Sequence, residues 1–209
     1  MTKTTFSVRH TTLYFLGCLT IALALNFVIR SHLGTSSWDT LHVAIALTTP
    51  LTIGMATIVV AGTSMLIVVI MNRSLKFLAM AIPIALVGFL IDFFNEIVFL
   101  GFHPEALVIR GILFVLALLM LPLGGAFLVL STYPAGVFEE LMFSLMRFFK
   151  TNRLIYVRIA LDSFALGVAL FLTLTFDRSI GSLQWGTILF ILAVGPLLNR
   201  YLLFFRRFL

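Results

Sequence analysis

Charged and turn-forming residues cut the chain into six long apolar stretches, at about 11–30, 52–71, 77–99, 108–131, 154–175 and 183–205. Each is long enough to cross the roughly 30 Å hydrocarbon core of a bilayer as an α-helix, the open-chain structure that satisfies its own backbone hydrogen bonds there. Two shorter apolar stretches remain, Ser36 to Thr49 closed by Pro50 and Val137 to Phe149 closed by Lys150. At about 14 residues each they are too short to span, so they are expected as re-entrant or interfacial helices packed against protein. Each directly follows the first long span of its half.

Basic residues orient this layout. With the N-terminus in the cytoplasm, Lys3, Arg9, Arg73, Lys76, Arg147, Lys150, Arg153, Arg158, Arg200, Arg206 and Arg207 fall inside, and Arg30, Arg110 and Arg178 outside, a split of 11 to 3. If the short stretches also spanned, Arg73 and Lys76 would move outside and weaken the split. Six spans with both termini inside follow. The run Leu13–Ile29 is longer than a signal-peptide core and lacks a small-x-small site after it, so it reads as a span that stays in place.

A repeat is also legible. A shift of 100 positions pairs Leu13, Leu16, Leu19, Leu23 and Phe27 with Leu113, Leu116, Leu119, Leu123 and Phe127, and likewise Ser31 with Ser131, Trp38 with Phe138, Asp39 with Glu139 and Thr63 with Ser163. The nine identities over positions 11–71 are weak evidence. The order of elements is stronger: both halves run long span, short acidic helix, span, span. Three spans per half is odd, so the second half enters the membrane upside down. The expected fold is an all-α integral membrane protein forming a single membrane domain over residues 1–209. Its six transmembrane helices form an inverted 3+3 repeat, with pseudo-repeats 11–100 and 107–205. On this topology the Trp38-Asp39 helix dips in from outside and the Phe138-Glu139-Glu140 helix from the cytoplasm.

Composition agrees and removes other classes. Of the 209 residues, 61% are apolar and 11% charged, with a mean hydropathy of +1.17, whereas a soluble domain is about half apolar and a quarter charged. The net charge of +6 comes from Lys and Arg flanking apolar stretches, where they meet lipid headgroups, not from a basic patch interleaved with aromatics, so no nucleic-acid partner is expected. Cys18, the lone cysteine, excludes an intramolecular disulfide and a Cys-based metal site.

The segment Gly34-Thr35-Ser36-Ser37-Trp38-Asp39-Thr40-Leu41, then Ile53-Gly54, then Gly88 with Ile91-Asp92, resembles the pattern of the YczE/YyaS/YitT family of multi-pass bacterial membrane proteins. In the second half, Gly186-Thr187 and Gly195 resemble the Gly-Thr and Gly of that family's last span, while Ser37 stands where the family usually has Pro. The resemblance implies location and architecture, not a substrate.

Eight acids are present, and a carboxylate at membrane depth costs a few kcal/mol unless it is paired or hydrated. Glu105 and Asp177 read as solvated loop residues beside Arg110 and Arg178. Asp39 opens a short helix and reads either as its N-terminal cap or, with His42 on the same face and Trp38 as an aromatic wall, as a site for a proton or a protonatable ligand. Asp162 sits mid-span, either bridged to Arg158 one turn earlier or facing a cavity or proton path. Asp92 and Glu96, spaced i, i+4, either coordinate a cation or relay protons, or are simply hydrated. Glu139 and Glu140 open a helix near Arg147, Lys150 and Arg153, so capping and surface pairing compete with a binding role there. Gly124-Gly125 reads as a close helix contact.

No metalloprotease, serine-hydrolase, Walker or dinucleotide motif occurs, so no enzyme activity, catalytic residue, cofactor or metal site is expected. The function read from the sequence is a small-molecule transporter or permease of the bacterial cytoplasmic membrane, driven by an ion gradient or by partner subunits. The lipid bilayer and a small-molecule or ion substrate are its expected partners, and a homo-oligomer is compatible with the reading. The alternative is a non-transporting membrane protein that regulates or anchors a partner. That alternative needs no polar cavity and would pair every intramembrane acid with protein groups. A transporter would leave at least one facing water.

Overall fold

The computed structural model describes residues 8–131, 133, 136–176 and 184–207. Lys3 and the Asp177-Arg178 loop lie outside the described residues. The elements are α1 (Val8–Ser31), α2 (Ser37–Thr48), α3 (Ile53–Asn72), α4 (Ala81–Phe93), α5 (Leu107–Leu130), α6 (Val137–Phe148), α7 (Leu154–Thr175) and α8 (Trp185–Phe205), with no strand among the described residues. Six helical segments are long and apolar enough to cross a membrane, and they coincide with the six stretches read from hydropathy. This is a multi-pass, all-α membrane protein. Large apolar side chains such as Phe89, Phe171 and Leu192 are exposed on the outer surface, which water would penalise and a lipid environment accepts.

The third span departs from a simple helix. It opens with a 3-10 turn at Leu75–Met80, continues as α4 and ends in a π turn at Phe94–Val98. Pro83 explains the first change, because restarting the α-helix at Ala81 places the proline in the first turn, where its missing N–H would have no intrahelical acceptor anyway. At the other end Phe99 N–H donates to the Phe94 carbonyl at 2.9 Å, the wide-turn pattern. The carbonyls of Asn95 and Phe99 are left to accept from the Arg30 guanidinium at 3.2 and 3.1 Å. Arg30 is buried, donates also to Asn26 Oδ1 at 2.8 Å and lies over the Phe99 ring, and Asn26 in turn donates to the Ile91 carbonyl at 3.1 Å. No carboxylate pairs with Arg30 among the described residues.

α1 and α5 run antiparallel at the centre. Arg110 at the start of α5 donates to the carbonyls of Ser31 and His32 at the end of α1, and Thr11 near the start of α1 meets Tyr133 just past the end of α5. Between these ends the backbones nearly touch: a Cβ added to Gly17 would sit 3.0 Å from the Gly124 carbonyl oxygen, and one added to Gly124 3.0 Å from that of Gly17. Gly124 is thus the close contact expected of it. The adjoining core gathers Ala22, Leu25, Val28, Ile91, Phe114, Ala117 and Phe190. α4 packs on α1 and α8 on α5, while α2 packs on α7 and α3 on α6. Under the 100-position shift α1 with α4 corresponds to α5 with α8, and α2 with α7 corresponds to α6 with α3. α3 also lies along α4, whereas α7 and α8 are not a corresponding packed pair.

Candidate functional site

The first turns of α2 and α6 meet through one aromatic ring from each. Trp38 and Phe138, the residues paired by the 100-position shift, stack with ring centroids 4.2 Å apart and planes 24° apart. The chain enters α2 through Gly34, whose φ of +121° suits glycine and whose missing side chain lets the loop lie against Gly186 and Thr187 at the start of α8. Ser36 is the N-cap, its hydroxyl accepting from Asp39 N–H at 3.2 Å and donating to Asp39 Oδ2 at 2.5 Å. Asp39 is therefore not the cap. It sits three residues inside and its carboxylate accepts from the hydroxyls of Ser36 and Thr35, since Ser36 already fills the capping position. His42, on the same face, places Nδ1 3.7 Å from Asp39 Oδ1.

Beside the stacked rings lies a cavity of about 690 Å³ with predominantly apolar walls, lined by residues from all eight helices. Trp38, Asp39, His42, Glu139 and Asp162 reach it, so five sequence candidates that lie on three different helices share one space. Asp162 Oδ2 is 3.8 Å from Arg158 Nε, and both side chains, partly exposed, line the cavity. Two buried polar atoms of the lining residues, Ser37 Oγ and His42 Nε2, have no hydrogen-bond partner among the described residues.

The other two candidates lie elsewhere. Asp92 closes the start of α3: Oδ2 accepts from the Thr52 hydroxyl at 2.5 Å and Oδ1 from Gly54 N–H at 2.7 Å. It is held where Gly54 and Gly88 bring α3 and α4 so close that a Cβ on Gly54 would run into the Gly88 carbonyl. Glu96 is exposed in the π turn. The i, i+4 face expected of the pair presumes α-helical spacing, which the π turn does not keep. Glu140 takes the surface-pairing role, accepting from Arg147 at 2.6 Å, and Arg147 also bridges to Asn72 of α3 at 2.9 Å. Sequence reasoning missed Ser37, Phe138 and Arg158 as lining residues. The repeat had already set Phe138 opposite Trp38, and that was the available signal.

A family model described as a family of unknown function, DUF6198, matches residues 8–202. The chain belongs to the DUF6198 family. No curated protein and no solved structure matches the DUF6198 chain. The match names DUF6198 and not the YczE/YyaS/YitT family that the short motifs resemble. Nearly the whole helical body, including every residue around the cavity, falls within the matched range. Among the described residues no group of three or more His, Cys, Asp or Glu is placed to hold a metal ion.

Proposed function

We propose that this DUF6198 protein is a small-molecule transporter of the bacterial cytoplasmic membrane, with both termini in the cytoplasm and the cavity as its substrate site. The observation that carries the reading is the set of carboxylates, Asp39, Glu139 and Asp162, on the wall of one large and predominantly apolar cavity. Carboxylates at membrane depth are costly unless they face water, a partner or a ligand, and a purely structural protein would have paired them all. Asp162 is the least committed, with a guanidinium 3.8 Å away and no hydrogen bond closer than that to it among the described residues.

The architecture supports the same reading. An inverted 3+3 repeat places binding sites where the halves meet and where short helices turn their N-termini inward. The Trp38–Phe138 stack, the antiparallel α1 and α5, and the packed pairs that exchange between halves all fit that symmetry. Kinship with the YczE/YyaS/YitT family belongs to this proposal, resting on the Trp38-Asp39, Ile53-Gly54 and Gly88 motifs. Drive comes from an ion gradient or from partner subunits, and no enzymatic step is invoked.

Reconstituted protein tested against pooled metabolite classes should give flux above empty vesicles, and Asp162→Asn should lower it at least tenfold, about 1.4 kcal/mol in the affected step. A partly exposed pair 3.8 Å apart contributes less than about 1 kcal/mol, so the variant should insert and melt like the wild type. Flux at the empty-vesicle level for every class would end the transporter reading. Cysteine labelling that placed position 74 on the side of position 104 would end the topology.

A further inference from the structure

The geometry points to a protonated primary or secondary amine on an apolar body as the ligand of this cavity, an assignment that rests on reading the cavity as the transporter's site. Charge sets the sign. Asp39, Glu139 and Asp162 line the space against one guanidinium, Arg158, so the cavity favours a cation and opposes an anion. His42 sets the chemistry of the cation. Its Nδ1 lies 3.7 Å from the Asp39 carboxylate, and we assign the ring proton to that nitrogen, facing the negative charge, which gives Nε2 the lone pair. That atom is buried and without a partner among the described residues, and so is Ser37 Oγ, a hydroxyl that also accepts. Two unfilled acceptors beside surplus negative charge match a cation that carries N–H donors, and leaving them unfilled costs free energy. Asp39 acts here as a positioning residue, fixed by Ser36 and Thr35 and fixing His42.

The rings and the walls set the rest of the ligand. Trp38 and Phe138 give a π surface that attracts an ammonium or stacks on a flat body, and the remaining lining is mostly apolar. About 690 Å³ lies within the range of small-molecule pockets. A quaternary ammonium would satisfy the charge and the rings but has no N–H for His42 or Ser37.

The test uses the full chain with Trp185→Phe, which leaves Trp38 as the only tryptophan, so its emission reports the cavity directly. The probes are 2-phenylethylamine, its N,N,N-trimethyl analogue and 3-phenylpropionate. Expected are saturable binding of the amine, binding of the trimethyl compound at least about tenfold weaker, and none of the carboxylate. His42→Leu should weaken the amine at least about tenfold while leaving the trimethyl compound within about twofold, a split that general misfolding would not produce. Equal binding of the carboxylate, equal weakening of both cations, or no saturable response to the amine would overturn the assignment. Amine binding with flux at the empty-vesicle level keeps the assignment and removes the transporter reading. Flux of an anionic or neutral class without amine binding does the reverse.

Discussion

Replacing Asp92 separates a structural carboxylate from a titrating one. Its two oxygens accept from Thr52 and from Gly54 N–H at 2.5 and 2.7 Å, and hydrogen bonds to a charged acceptor contribute about 1.5–3 kcal/mol each. Asp92→Ala removes both acceptors from the start of α3, and at a half-buried site the lower end applies, about 3 kcal/mol in all. For a chain of 209 residues that corresponds to a fall of about 6–12 °C in the melting midpoint. Asp92→Asn keeps an oxygen for Gly54 N–H and an amide group against Thr52. Losing only the charge, it should cost about 1 kcal/mol, or about 2–4 °C. The assay is the monodisperse fraction left after heating in detergent, read by size exclusion. Asn and Ala variants that both melt within about 2 °C of the wild type, or an Asn variant as damaged as the Ala one, would refute the capping role.

Three further outcomes follow from the packing. Gly124→Ala should destabilise by about 1–3 kcal/mol, because its Cβ meets Ile21 and the Gly17 carbonyl, whereas Gly111→Ala, with open space around it, should be neutral or stabilising by up to about 1 kcal/mol; paired thermal melts decide this. Arg30→Met should cost more than Arg110→Gln in the same melts, since it strands buried Asn26 and two carbonyls, while the Arg110 contacts are partly exposed. His32, past the end of α1, has its pKa lowered by desolvation first and then by Arg110, His103 and Arg30. The unfolded chain then binds the proton more readily, so its contribution is intact above about 6.5 and is lost as pH falls below that; His32→Asn should flatten the wild-type stability slope there, and identical slopes would refute it.

Hydropathy made the spans and both short helices legible, because their lengths fall clearly on either side of what a bilayer requires. The arrangement of the acids was only half legible. Asp39, Glu139 and Asp162 come together because α2, α6 and α7 pack around one space, and spacing within a helix carries no information about that. Asp92 looked like part of a carboxylate pair because its partners, Thr52 and Gly54, lie about 40 residues earlier in the chain. Arg30 counted as an ordinary flanking cation, although Asn26 four residues before it was a sign that it is held on the helix itself. The break at Pro83 was readable as chemistry, and the π turn that closes the same span was not.

The guanidinium of Arg30 also imposes an order on biogenesis. Its carbonyl acceptors at Asn95 and Phe99 are synthesised 65 and 69 residues after it, so α1 enters the bilayer before either exists. During that interval the amide oxygen of Asn26, which the helix supplies as soon as it forms, is the acceptor at hand. The third span then arrives with a widened terminal turn whose free carbonyls take over the charge. Without a carboxylate beside it among the described residues, the guanidinium is held by the Asn26 amide oxygen and two backbone carbonyls, and the seating of the third span against the first is what supplies the last two of these acceptors.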